Sequence, residues 1–112
     1  MKVLGRGLCN EKFNLIGEAL VIKDDEEIKD KSYYNKIIFM HVPAPDIVIY
    51  MNKALAIVTE TGGVLCHAAV LAMELGVPFI VGAENIIKNI KNGDIVRIEG
   101  LDGIGYIYEE NV

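Results

Sequence analysis

With 112 residues, 52% of them hydrophobic and 24% charged, the chain has the size and composition of one globular domain and is too apolar to be disordered. No apolar run approaches the roughly 20 residues of a membrane span, and the amino terminus, Met1-Lys2-Val3-Leu4-Gly5-Arg6, holds no apolar stretch long enough for a secretory signal. A net charge of −5 with scattered basic residues disfavours duplex nucleic acid, whose phosphates need clustered Lys and Arg.

In chain order, residues 19–22 and 36–40 are short runs rich in β-branched side chains and read as strands. The almost wholly charged stretch 23–31 between them has no apolar face and reads as an exposed connection. Pro43 and Pro45 stop the second strand. Residues 46–54 are ambiguous: Ile47-Val48-Ile49-Tyr50 looks like strand, but Ile47, Tyr50, Met51 and Ala54 recur at helical spacing, and Pro45 and Asp46 suit a first turn. The spacing predicts a short helix. Residues 55–59 form a buried strand, ended by Gly62-Gly63. Residues 65–75 are Ala-rich and apolar nearly all round, only His67 and Glu74 being polar, with Gly76 as the stop. Such a helix is expected to lie between layers, covered on most sides.

Residues 79–81 read as a strand and 86–90 as a helical turn. Strands at 95–99 and 104–108 follow, joined by a turn centred on Gly100-Leu101-Asp102-Gly103. Hairpin-like and strand–helix–strand units are mixed, so the class is α/β or α+β in one compact domain.

The chemically loaded stretch is Thr59-Glu60-Thr61-Gly62-Gly63-Val64-Leu65-Cys66-His67-Ala68-Ala69. It runs strand, glycine pair, helix. Adjacent glycines allow a tight turn and bring bare backbone N–H groups to the surface. The first helical turn adds unpaired N–H groups and the positive end of the helix dipole, which together suit an anion such as phosphate. His67 falls in that first turn, where a neutral imidazole has a lone pair available as a nucleophile.

Other readings of these residues stand beside this one. A glycine pair before an apolar helix is common, and a first-turn histidine is in general a capped surface residue. Cys66 and His67 are successive, and side chains about 100° apart on a helix make a poor nucleophile–base pair. Zinc bound by Cys9, His41, Cys66 or His67 lacks the paired short spacings of such sites. A Cys9–Cys66 disulfide has no other sign of an oxidising compartment to support it, and a cytoplasmic protein is expected.

The pattern Thr59-x-x-Gly62-Gly63-x-x-Cys66-His67-Ala68-Ala69 resembles the phosphohistidine motif of the phosphoenolpyruvate-utilising family, which includes phosphoenolpyruvate synthase, pyruvate phosphate dikinase and enzyme I of the sugar phosphotransferase system. Similarity continues through Ala72-Met73-Glu74-Leu75-Gly76-Val77-Pro78-Phe79-Ile80-Val81-Gly82, through Gly93-Asp94-Ile95-Val96 and through Gly103-Ile104-Gly105-Tyr106-Ile107-Tyr108. It covers residues 37–108 well, the cysteine before the histidine being most like phosphoenolpyruvate synthase. Two positions depart from the pattern: Leu65 stands where the family usually has Thr, and Val64 where Arg is frequent.

The resemblance implies a compact single-domain swivelling β/β/α fold over residues 1–112, an α/β phosphohistidine domain. It implies His67 as the residue that is phosphorylated, with Thr59, Gly62, Gly63 and Cys66 at the phosphate-binding positions. It also implies partner domains or subunits, one binding ATP and one binding pyruvate or phosphoenolpyruvate with Mg²⁺. No cofactor or metal is expected on this chain. Neither partner fits within 112 residues, so a stand-alone carrier, a phosphotransferase component and not a complete enzyme, is the expectation. Two alternatives come from other classes. One is a non-catalytic regulatory or binding module that retains the fold. The other is a small lyase or dehydratase subunit on a similar fold, which would have no need of His67 and both glycines.

Overall fold

The computed structural model describes residues 2–23, 33–43 and 51–110. These form a seven-stranded sheet with strand order β1-β7-β6-β2-β3-β4-β5. The strands are β1 (Val3–Leu8), β2 (Phe13–Ile22), β3 (Lys36–Met40), β4 (Ala56–Thr59), β5 (Phe79–Ile80), β6 (Ile95–Leu101) and β7 (Ile104–Glu109). One helix, α1 (His67–Leu75), connects β4 to β5. Single 3₁₀ turns lie at Met51–Lys53 and Ile86–Asn89.

The sheet has two halves. β2, β3, β4 and β5 run parallel, while β1, β7, β6 and β2 pair antiparallel. Parallel strands are covered on both faces, and their sequences accordingly read as continuous apolar runs. Ile37 and Phe39 point into one core with Ala56, Val58, Ile80, Ile98 and Ile107, beneath the antiparallel half. Ile38, Met40 and Ile57 point the other way, into a core completed by Ala68, Ala69 and Ala72 of α1. Helix, parallel sheet and curled antiparallel sheet are thus stacked as the expected β/β/α arrangement.

The two edges of the sheet meet. Leu8 N–H donates to the Val81 carbonyl at 2.8 Å, and Val81 N–H donates to the Leu8 carbonyl at 2.9 Å. Gly7 and Gly105, register partners across β1 and β7, make this closure feasible. A β-carbon on Gly105 would stand 2.6 Å from Ile80 Cγ1, and one on Gly7 would collide with the Val81 carbonyl. β1 is a strand that the sequence reading does not contain, because its two glycines look like turn residues. They are there for close approach.

Three further expectations change. β2 begins at Phe13, six residues before the apolar run at 19–22, since Phe13 to Glu18 pair antiparallel with β6. α1 starts at His67 and not at residue 65, with Gly76 in the left-handed conformation at its end. Nor is α1 covered on most sides: only Ala68, Ala69 and Ala72 are buried, while Met73 is 43% and Leu75 49% exposed. A stripe of alanines lets the helix lie close on the sheet, with Leu71 at its margin and Met73 and Leu75 outside. Residues 24–31 of the charged connection and residues 46–50 of the expected 46–54 helix lie outside the described residues; Met51–Lys53 is a 3₁₀ turn. The turn between β6 and β7 is as expected, with Asp102 and Gly103 both at positive φ, a two-residue hairpin loop matched to the strand twist.

Candidate phosphoryl-carrier site

The carboxyl ends of β3, β4 and β5 lie side by side, and the chain leaving each builds one rim of the molecule. In open α/β sheets this is the edge at which ligands bind. Thr59 ends β4. Its side chain is wholly buried and its hydroxyl donates to the Thr61 carbonyl at 2.7 Å. Thr59 therefore braces the turn and does not present its hydroxyl proton at the surface. Thr61 N–H and Oγ1 both donate to the His41 carbonyl, at 3.0 and 3.1 Å, which ties the turn to the end of β3. On the other side, Ala83 N–H donates to the Thr59 carbonyl at 3.0 Å.

Gly62 follows at φ +103°, a conformation that side chains with a β-carbon rarely adopt. Gly63 is exposed and has no positive φ, and a β-carbon there would meet nothing within 4 Å. Backbone conformation thus calls for glycine at Gly62 and not at Gly63. Val64 packs on the helix-side core, and its carbonyl accepts from Asn10 Nδ2 at 3.0 Å, which anchors the loop to the β1–β2 connection. Leu65 is 85% exposed.

Cys66 is the N-cap of α1, extended at φ −65° and ψ 155°, with its N–H bonded to the Gly63 carbonyl at 3.0 Å. Its thiol makes no capping hydrogen bond, so the N–H groups that a helix start leaves without partners are not claimed by it. His67 is the first helical residue and is exposed. No acidic residue lies in this first turn, so nothing there opposes an anion at the positive end of the dipole. The arrangement gathers Gly62, Gly63, Cys66 and His67 on one open rim, with Thr59 beneath them.

A model of the family described as PEP-utilising enzyme, mobile domain, matches residues 34–103, more than half of the chain. The chain belongs to that family. It is 39% identical over 105 residues to a protein named probable phosphoenolpyruvate synthase from Archaeoglobus fulgidus, covering 94% of this chain and 14% of that protein. The curated relatives it matches are far longer, and the chain spans between 11% and 18% of their length. Among solved structures, an Enzyme I protein determined by NMR is 28% identical with a TM-score of 0.55, covering 66% of this chain and 31% of that one. A UPF0107 protein shares the fold more completely, with a TM-score of 0.69 over 95% of this chain and 99% of the other at 21% identity.

The mobile-domain chain has two further site features that the motif did not single out. Nδ1 of His41 donates to Oε1 of Glu60 at 2.8 Å, and Oε2 of Glu60 accepts the Ile87 N–H at 3.0 Å. The signal was the parallel register: Met40 pairs with Thr59, so the residues one step beyond each, 41 and 60, become neighbours. Both cysteines are free, Cys9 buried and Cys66 half-buried. Burial pushes the Cys9 thiol above its ordinary range. Among the described residues, no three His, Cys, Asp or Glu side chains cluster as metal ligands, and no helix is long and apolar enough to cross a membrane.

Proposed function

We propose that this mobile domain is a phosphoryl carrier whose acceptor is His67. The observation that carries the reading is the exposed imidazole at the first position of a helix whose N-cap leaves the neighbouring N–H groups unclaimed. A lone pair on a ring nitrogen of neutral His67 attacks phosphorus, the bond from phosphorus to the donor oxygen breaks, and the donor leaves with that oxygen. The phosphoramidate dianion then lies beside the helix start, where each favourable contact contributes roughly 0.3–1 kcal/mol. Transfer to an acceptor oxygen reverses the step and returns the free imidazole.

The relatives lend support to one choice of donor and acceptor. Proteins named phosphoenolpyruvate synthase contain this domain within much longer chains, which supports a domain that shuttles phosphate between an ATP site and a pyruvate or phosphoenolpyruvate site on partner domains or subunits. Mg²⁺ would be held on those partners. Incubation with ³²P-labelled phosphoenolpyruvate or ATP and a partner should place acid-labile, alkali-stable label on the chain.

A second reading has one observation in its favour. Leu65, 85% exposed beside the histidine, is an apolar side chain where a phosphate contact would be polar, as in a module that binds a partner and no longer transfers phosphate. The same labelling experiment separates the two.

A further inference from the structure

We infer, on the reading of His67 as the phosphoryl carrier, that Glu60 is a positioning residue for the carrier turn, acting through Gly62 and Gly63. Its side chain is 13% exposed, and both of its oxygens are used. Oε1 accepts from His41 Nδ1 in the segment that follows β3, and Oε2 accepts from the Ile87 N–H in the 3₁₀ turn that follows β5. The backbone of the glycine turn is held by the same two walls. Glu60 N–H donates to the Met40 carbonyl and Thr61 N–H to the His41 carbonyl, while Ala83 N–H donates to the Thr59 carbonyl, each at 3.0 Å. The carboxylate therefore bridges the same two segments that the backbone of the turn bridges.

The other bonds to the turn are made by Thr59, Thr61 and the residues after the glycines, and the glycines themselves add none. Gly62 and Gly63 are exposed and carry no side chains to pack, yet Gly62 must hold φ +103° and sets the path into Cys66 and His67. The Thr61 N–H and Oγ1 bonds to the His41 carbonyl pass any displacement of residue 41 to the residue just before Gly62. The 68% exposed His41 ring stands as the outer anchor of the brace. Phosphoryl transfer depends on placing the attacking nitrogen to within a fraction of an ångström; a brace beneath a glycine turn is a means of doing so.

The test uses the full chain with Glu60→Ala, Glu60→Gln and His41→Ala. Amide resonances of Gly62, Gly63 and His67 are recorded without any phosphoryl donor, and the rate of His67 labelling is measured with donor and partner. Glu60→Ala should move and broaden the Gly62 and Gly63 resonances and slow labelling by at least about tenfold. Glu60→Gln, which keeps an acceptor for the Ile87 N–H, should restore the resonances and bring labelling back to within about threefold. Unmoved glycine resonances in folded Glu60→Ala, or a Gln variant no better than Ala, would overturn the inference. Should Glu60→Ala fail to fold, His41→Ala removes one arm only; unmoved glycine resonances there count equally against it. Absence of label in the wild-type protein would refute the carrier reading, while the resonances still decide whether Glu60 fixes the turn.

Discussion

Gly62 faces Cys66 across the glycine turn, with 3.7 Å between the place a Gly62 β-carbon would occupy and Cys66 Sγ. Space is not what forbids a side chain there; the backbone at φ +103° does. The neighbouring Gly63 has neither constraint. Gly62→Ala should therefore cost about 1–3 kcal/mol of stability, and Gly63→Ala should leave the melting temperature unchanged. If Gly63 is bare to admit the phosphoryl donor, Gly63→Ala slows labelling of His67 at unchanged stability, and thermal melts beside labelling rates check both.

Leu65→Thr tests whether position 65 faces the phosphate. At 85% exposure the leucine contributes little packing, so stability should stay within about 0.5 kcal/mol. A hydroxyl donating to the phosphoryl oxygens, worth roughly 1.5–3 kcal/mol if it strengthens in the transition state, should raise the transfer rate about tenfold. An unchanged rate would place the side chain away from the reacting group.

Cys66→Ser should stabilise the protein. The N-cap thiol makes no capping bond, whereas serine oxygen accepts from the second or third helical N–H and contributes about 0.5–2 kcal/mol. Labelling should stay within a few-fold and no zinc should copurify. A lowered melting point would show that the thiol's packing on the helix-side core outweighs the cap.

The two thiols should differ in reactivity. Cys9 is 5% exposed and its thiol sits above the ordinary range because burial disfavours the thiolate. Alkylation should modify Cys66 first and reach Cys9 only on unfolding. The sign for stability follows. Below the ordinary thiol range both states hold the proton, and as pH rises through and above it the unfolded chain ionises first, so stability falls.

Much of the fold was legible because parallel strands buried on both faces leave unbroken apolar runs, as at Ile37 to Met40 and Ala56 to Val58. β1 was not, since Gly5 and Gly7 serve contacts with Ile86 and Val81 that lie 81 and 74 residues away in sequence. The amino-terminal half of β2 was hidden for a related reason: exposed Asn14 and Ile16 alternate with half-buried Phe13 and Leu15, so no apolar run marks it. At the site, the glycine pair and the helix start carried their own signal. Thr59 did not reveal that its hydroxyl turns inward to Thr61, and the His41–Glu60 pair needs the β3–β4 register before its members meet.

The most direct measurement is site-mapped phosphorylation: the full chain and His67→Ala are incubated with ³²P-labelled phosphoenolpyruvate or ATP and the partner domains of a phosphoenolpyruvate synthase. The exposed first-turn imidazole contributes little to packing, so the variant should fold and melt as the wild type does. Acid-labile label on the wild-type chain and none on His67→Ala is the expected result. Equal label on His67→Ala, or none on either chain while the partner itself is phosphorylated, would contradict a carrier role for His67.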